Sequence, residues 1–565
     1  MVPGKFIGYA NMDRNRRAWV SSCLTLLFWV SQLSASAQRP QKYLVLLKDK
    51  ANSPYSVSRP QQFLSQRSIQ RRQKQNIATL ERDLPVNPTY ITQLQQAGAK
   101  IWFSSRWFNA VLIEATGATL DGVKKLPFVA GIEFNKSLAN ARAGAINETV
   151  RAAGVSKFGT TGTSAALPLY GTSVAQVQQL GVDKMHDAGY HGEGMLIGVL
   201  DAGFLNTNTV GFLKPLFDEK RILATYDFVQ KETSVYEDDA HGMQCLSTIA
   251  ATADNQLYGT AYKAQFILLR TEDARTEQRV EEANWLFGAE YADSAGVDVI
   301  SSSLGYTTFD DPASNYTYAD MNGKTTLSAR AAQIASETGM VIVVAAGNEG
   351  AGAWRYISTP SDAAGVLSIA AVNRAGQRAS FSSIGPSPDG RVKPDLAARG
   401  QGTIIGNPNG LISSGNGTSF ATPLVAGLAA GFWQANPGLS AVQVTDALRK
   451  TGSQYATPDA QLGYGIPKFT QLLVLANAEP AAPPVVFPNP VSDAGPLFIR
   501  WPNAGRTIPV NATLTDLTGR VFYQKQYAPS GTDTFALPTT GLATGLYFVT
   551  LTAGTLKETV KVIKQ

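Results

Sequence analysis

MLIGVLDAGF, residues 195–204, is the stretch on which the reading of the fold turns. Six uncharged residues run without a break into Asp201. A strand with one wet face alternates apolar and polar side chains, whereas an unbroken run suits a strand covered on both faces, as in a parallel sheet. Further runs rich in apolar residues follow: FILLR at 266–270, VDVISSSL at 297–304, VIVVAA at 341–346 and VLSIAAV at 366–372. Between them, residues 277–293 and 325–338 read as helices. This alternation predicts an α/β fold with a doubly wound, mostly parallel sheet spanning about 176–476. Such sheets bind ligands at the carboxyl ends of their strands, and Asp201 stands at one.

Three other places in this region carry chemistry. His241, in EDDAHGMQCLSTIAA, opens a helical pattern after an acidic turn. Ser419, in SGNGTSFATPLVAGLAAGFW, follows two glycines that permit a tight turn into a helix. The small residues Ala421, Gly427, Ala429 and Ala430 let that helix pass close to a sheet. A serine at a helix N-terminus gains from the dipole and from free N–H groups when negative charge develops. Asn348 closes VIVVAAGNEG, and its side-chain amide can donate to an oxyanion. Taken singly these are a loop Asp, a structural His, an N-cap and a turn Asn. Taken together they supply base-orienting carboxylate, base, nucleophile and oxyanion donor, in the chain order Asp, His, Ser.

The strings IGVLDAGF, HGMQCLSTIAA, SSSLG, VVAAGNEG and NGTSFATPLVAG resemble the subtilisin-like serine peptidases, the subtilases, over about 300 residues. The resemblance implies that Asp201, His241 and Ser419 form a catalytic triad and that Asn348 belongs to the oxyanion hole. It implies further that Ser303, Leu304 and Gly305 pair with an extended substrate. With Ala345, Ala346 and Gly347 these residues should wall the primary specificity pocket. Neither segment holds an acid, so an apolar preference is expected. One departure stands out: Met243-Gln244 replaces the Thr or Ser and His usual after His-Gly, from which altered packing is expected.

Around this core the 565 residues divide further, as a chain of that length should at ~100–200 residues per domain. Lys5, Arg14, Arg16 and Arg17, then a short apolar stretch and Ala35-Ser36-Ala37, read as an export signal over 1–37. A membrane anchor would need ~20 apolar residues. Residues 38–140 read as a small α+β unit, with strands at 42–47, 108–115 and 126–134 and a solvated, Arg- and Gln-rich helix over 59–83. KYLVLLKDK, FNAVLIEAT and LPFVAGIEFN are similar to subtilase propeptides of the inhibitor type, which help folding and then block the cleft. Residues 141–175, rich in Gly, Ala, Ser and Thr, read as a linker and processing region, and the Pro-rich 477–490 as a second. Residues 491–565 alternate like an antiparallel β-sandwich. FPNPVSD, TDLTGRVFY, GLATGLYFVTL and ETVKVIKQ resemble the sorting domain of type IX secretion substrates, which implies a Bacteroidota type of host and passage through the outer membrane.

The net charge of +6 hides an asymmetry. Residues 38–110 hold 12 Lys and Arg against 3 Asp and Glu, so a basic propeptide should dock on an acidic enzyme. The rest of the chain has no basic footprint for nucleic acid. Cys23 falls in the signal, leaving Cys245 as a lone thiol, expected to be buried and inert. The sequence therefore reads as a secreted or surface endopeptidase, acting on protein or peptide substrates. Its partners are its own propeptide and the secretion machinery, with no transmembrane helix, and a monomer is expected. The chemistry requires no cofactor; structural calcium is frequent in the family, but the sequence assigns it no ligands. The alternative is a catalytically silent surface binding protein on the same scaffold.

Overall fold

The computed structural model describes residues 39–139, 169–470, 484–492, 495–500, 510–527, 534–553 and 556–565. The expected signal lies outside them, as do residues 141–168 and 477–483 of the two expected linkers.

Seven strands form one sheet, in the order Leu396–Arg399, Leu367–Val372, Val341–Ala345, Val299–Ser302, Leu196–Asp201, Gln265–Arg270, Ile222–Asp227. Every neighbouring pair is parallel. The unbroken apolar runs have the expected cause. Ile197, Val199, Val299, Val341 and Val343 pack with the helix Thr418–Ala435. Leu196, Leu200, Ile300, Ile342 and Val344 pack with the helices Val280–Ala295 and Leu327–Glu337 on the other face. The edge strands Ile222–Asp227 and Leu396–Arg399 were not legible, the first because it is half exposed and the second because it is only four residues long. Strand order reverses between Leu196–Asp201 and Val299–Ser302, the crevice where ligands of such sheets bind.

The catalytic unit begins before 176. Tyr170 is buried in its core, and a helix spans Val174–Gln179. Tyr170 Oη also bonds His186 Nδ1 at 2.8 Å, while His186 Nε2 meets the Thr260 carbonyl at 3.1 Å. This histidine is structural: burial lowers its pKa to about 4.

The N-terminal unit is a four-stranded antiparallel sheet, ordered Lys100–Ser105, Ala110–Ala115, Gln41–Leu47, Val129–Ile132. Helices Pro88–Gln96 and Gly117–Lys124, capped by the Asn87 and Thr116 side chains, cover one face. On the other face Leu44, Trp107, Ala110 and Leu112 join one apolar core with Trp285, Leu286 and Ala289 of the catalytic unit. The expected solvated helix over 59–83 is corrected: the α-helix is only Gln66–Lys74, and Arg71 and Arg72 are buried. Their partners explain this. Arg71, Arg72 and Arg106 all converge on Asp293, near the end of the helix Val280–Ala295. Arg67 pairs with Asp298 and Arg82 with Glu337. The charge asymmetry is thus spent on docking between the two units.

The C-terminal unit pairs Val485–Phe487, Leu497–Arg500 and Thr534–Leu537 in one antiparallel sheet. Val510–Asp516, Val521–Tyr527, Gly545–Ala553 and Leu556–Lys564 form a second. Alternate residues such as Leu497, Ile499, Ala512, Leu514, Val549 and Leu551 meet in the core between them. The sandwich starts at 485 rather than 491, because Val485–Phe487 lies inside the stretch read as linker. Among the described residues no helix is long and apolar enough to cross a membrane.

Candidate active site

Asp201 is the last residue of a central strand and is fully buried. His241 is the first residue of the helix His241–Ala250, whose start is held by the His241 N–H donating to Asp239 Oδ1 at 2.7 Å. Gly242 lets that helix approach the strand end. A Cβ there would lie 2.5 Å from the Gly203 carbonyl oxygen and 2.7 Å from Asp201 Cβ. The result is a bond of 2.7 Å from His241 Nδ1 to Asp201 Oδ1, which also accepts the Ala202 N–H at 2.8 Å. Burial alone would lower the His241 pKa, but the adjacent Asp201 carboxylate outweighs it and raises the pKa well above the ordinary 6.5. With Nδ1 committed to Asp201, Nε2 is the nitrogen free to exchange a proton.

Ser419 lies in the first turn of the helix Thr418–Ala435. Its hydroxyl faces the Ser303 carbonyl at 3.4 Å, and its own carbonyl accepts from Ser303 Oγ at 2.8 Å. No hydrogen bond joins Ser419 to His241 among the described residues; in free enzymes such contacts are often long and tighten with substrate. Asn348 is exposed in the turn that follows the strand Val341–Ala345. Its Oδ1 accepts from the Thr418 N–H at 2.9 Å and from Thr418 Oγ1 at 3.0 Å, which leaves its N–H₂ as a donor beside Ser419. The structure therefore brings all four residues to one crevice, from four separate elements.

The six expected pocket residues fall on two neighbouring segments. Ser303, Leu304 and Gly305 follow the strand Val299–Ser302, while Ala345 ends the adjacent strand Val341–Ala345 and Ala346 and Gly347 follow it. Two residues of the site were missed. Thr418 orients Asn348, as above. Cys245 Sγ lies 3.9 Å from His241 Nδ1 and donates to the Ser419 carbonyl at 3.4 Å. Its i+4 spacing from His241 on one helix face was the available signal. It is fully buried, as expected, and burial raises its pKa and keeps the thiol neutral. Among the described residues, Asp201, His241 and Cys245 are also the group whose donor atoms cluster as metal ligands would. Of the unusual pair after His-Gly, Met243 fills the core and Gln244 Nε2 bonds Asn407 Oδ1 at 3.0 Å, so the change is one of packing.

The subtilase family model matches residues 192–465, around this crevice. The chain is 30% identical over 281 residues to the Subtilisin of Bacillus pumilus, a match covering 49% of this chain and 90% of that protein. This chain belongs to the subtilase family. The subtilase is also 30% identical over 281 residues to Subtilisin NAT of Bacillus subtilis subsp. natto and to Subtilisin E of Bacillus subtilis strain 168. It spans 65% of the length of each. A solved MycP3 protease from a type VII (ESX-3) secretion system aligns with the subtilase at 22% identity and TM-score 0.43, over 55% of this chain and 89% of that one. The subtilase unit is flanked by a match to the peptidase S8 propeptide domain of Bacteroidota at 42–150 and to a secretion-system C-terminal sorting domain at 485–565.

Proposed function

We propose that the chain is the precursor of a secreted serine endopeptidase, exported with its propeptide docked and cleaving peptide bonds once that unit is removed. The observation that carries this is the 2.7 Å bond from His241 Nδ1 to Asp201 in the same crevice as Ser419. On this reading the Ser419 hydroxyl leaves the Ser303 carbonyl and bonds His241 Nε2 when substrate binds. Ser419 then attacks the peptide carbonyl, His241 takes its proton, and Asp201 holds the imidazole and favours the imidazolium. The oxyanion receives the Asn348 amide and the Ser419 N–H. His241 returns the proton to the leaving amine, and water resolves the acyl-enzyme by the same steps. These steps draw on side chains and backbone alone.

The placement of the propeptide supports a role as inhibitor. The Val280 N–H donates to the Leu138 carbonyl at 2.9 Å, and the Leu138 side chain is buried in the cluster that Leu304 borders. The end of the propeptide is thus tied to the start of the helix Val280–Ala295 of the catalytic unit. The sorting-domain match supports export to the medium or the cell surface, after an N-terminal signal has been removed.

The test is reaction of the protein with a fluorophosphonate, followed by peptide mapping. One adduct is expected, on Ser419. Peptide hydrolysis by protein that takes up no reagent at Ser419 would overturn the reading. Two further results are expected. Asn348→Ala should lower kcat by ~10²–10³, or about 3–4 kcal/mol, with KM nearly unchanged; a loss confined to KM would make Asn348 a ground-state contact. The pH–rate profile checks His241. A base must be neutral, so activity is present above its pKa and lost as pH falls through it. Because Asp201 raises that pKa, the limb should lie on the alkaline side of 6.5 and move down in Asp201→Asn. A limb in the carboxylate range would refute this role.

A further inference from the structure

The strand Gln265–Arg270 runs beside the strand that ends in Asp201 and places Arg270 opposite Asp201. The Arg270 side chain is buried, and its guanidinium reaches three segments. Nε donates to the Ala202 carbonyl at 3.1 Å, and it is the Ala202 N–H that Asp201 Oδ1 accepts. Nη1 donates at 2.6 Å to Asp227 Oδ2, at the end of the neighbouring strand Ile222–Asp227. The same nitrogen lies 2.9 Å from Asp238 Oδ2, in the acidic turn that leads into His241. Asp227 is a fixed anchor, because its Oδ1 accepts the Val229 and Gln230 N–H groups at 2.6 and 2.9 Å. The turn also packs closely on the chain after Asp201. A Cβ on Gly203 would stand 2.5 Å from the Asp239 nitrogen, and the Leu205 N–H donates to the Asp239 carbonyl at 3.0 Å. Asp239 in turn accepts the His241 N–H.

A buried arginine with its carboxylates gives little net stability over apolar residues of like volume, because desolvation offsets the attraction. What the planar guanidinium does supply is fixed geometry, since its fork holds several acceptors at once. Here those acceptors lie on both sides of the bond from His241 Nδ1 to Asp201. We propose that Arg270 is a positioning residue for the triad. It fixes where the helix His241–Ala250 starts relative to Asp201, and so the 2.7 Å contact that orients the imidazole. Arg270 itself touches neither the substrate nor the transferred proton. The inference rests on the proposed peptidase function. Misplacing a reacting group by ~1 Å lowers the rate by about 10²-fold, which sets the size of the effect.

The experiment compares mature enzymes, each variant being freed of its propeptide by tagged wild-type enzyme that is then withdrawn. Both kcat and KM are read on the alkaline plateau of the pH–rate profile. There His241 is neutral in every variant, so a changed charge near the imidazole does not mask the geometry. Arg270→Met should lower kcat by ~10²-fold with KM within about 2-fold. Arg270→Lys keeps the charge but not the fork, and should recover part of the loss. Asp238→Asn frees only the turn and leaves the buried Arg270–Asp227 pair in place. It should lower kcat by ~10-fold, and it carries the test if Arg270→Met does not fold. The deciding measurement repeats these substitutions in Asp201→Asn, with the rate of fluorophosphonate labelling at Ser419 as the readout. With no carboxylate to align, each should then change the rate by less than ~2-fold. Equal losses in the two backgrounds, or a loss confined to KM, overturn the proposal and leave Arg270 a stabiliser of the fold. Unchanged kcat in the folded variants overturns it as well. Any of these results, with the wild type labelled at Ser419, removes the positioning role alone. A wild type that neither cleaves nor takes up label removes the peptidase reading, and this inference with it.

Discussion

Ser419→Ala is expected to leave a full-length precursor that hydrolyses nothing and keeps its propeptide. Among the described residues the other nucleophilic side chain against His241 is Cys245, and it is buried, neutral and turned to the Ser419 carbonyl. Loss of the nucleophile from a triad of this kind lowers kcat by ~10⁶. What remains comes from the oxyanion donors and from binding, too little to cut the propeptide on the time scale of expression. Intact mass of the purified variant reports propeptide removal, because an unprocessed chain retains residues 38–140, and a peptide assay reports hydrolysis. Processing at the wild-type rate would mean that another protease removes the propeptide. Peptide hydrolysis at the wild-type rate would mean that Ser419 is not the nucleophile.

The second large effect lies away from the chemistry. Asp293→Ala, made in the Ser419→Ala precursor so that the propeptide stays attached, should lower the melting temperature of the propeptide unit by more than ~10 °C. Asp293 is fully buried and receives Arg71, Arg72 at 2.8 Å and Arg106 at 2.5 Å. Removing one partner of a buried ion pair costs ~3–5 kcal/mol, because the remaining charge is left uncompensated, and a ~100-residue unit shifts by roughly 4–8 °C per kcal/mol. Glu337→Ala is the contrast: the Arg82–Glu337 pair is 31% and 42% exposed, so ~1 kcal/mol or less is expected. Equal shifts in the two variants would refute the assignment. The sign with pH also follows. Burial would raise the Asp293 pKa, but the arginines outweigh it and hold it at about 2, below the ~3.9 of an unfolded Asp. Its contribution is complete above ~3.9 and fades only as pH falls toward 2, so mild acid does not loosen this contact.

What the sequence by itself determined is whatever local pattern encodes. Strands buried on both faces must be apolar throughout, so runs such as MLIGVL and VIVVAA revealed the sheet, and the carboxylate at the end of one of them pointed to the edge where ligands bind. The glycines and small residues around Asp201, His241 and Ser419 are required by close backbone approach, and that is why their strings were legible before any contact was seen. The edge strand Ile222–Asp227 escaped because exposure dilutes the apolar signal, and Leu396–Arg399 because it is short. What only the tertiary structure decided is which polar groups lose their water. Arg71 and Arg72 look like a solvated helix face until Asp293, more than 200 residues away, arrives to bury them. Cys245 reads as an ordinary core thiol until Ser419 is folded against it.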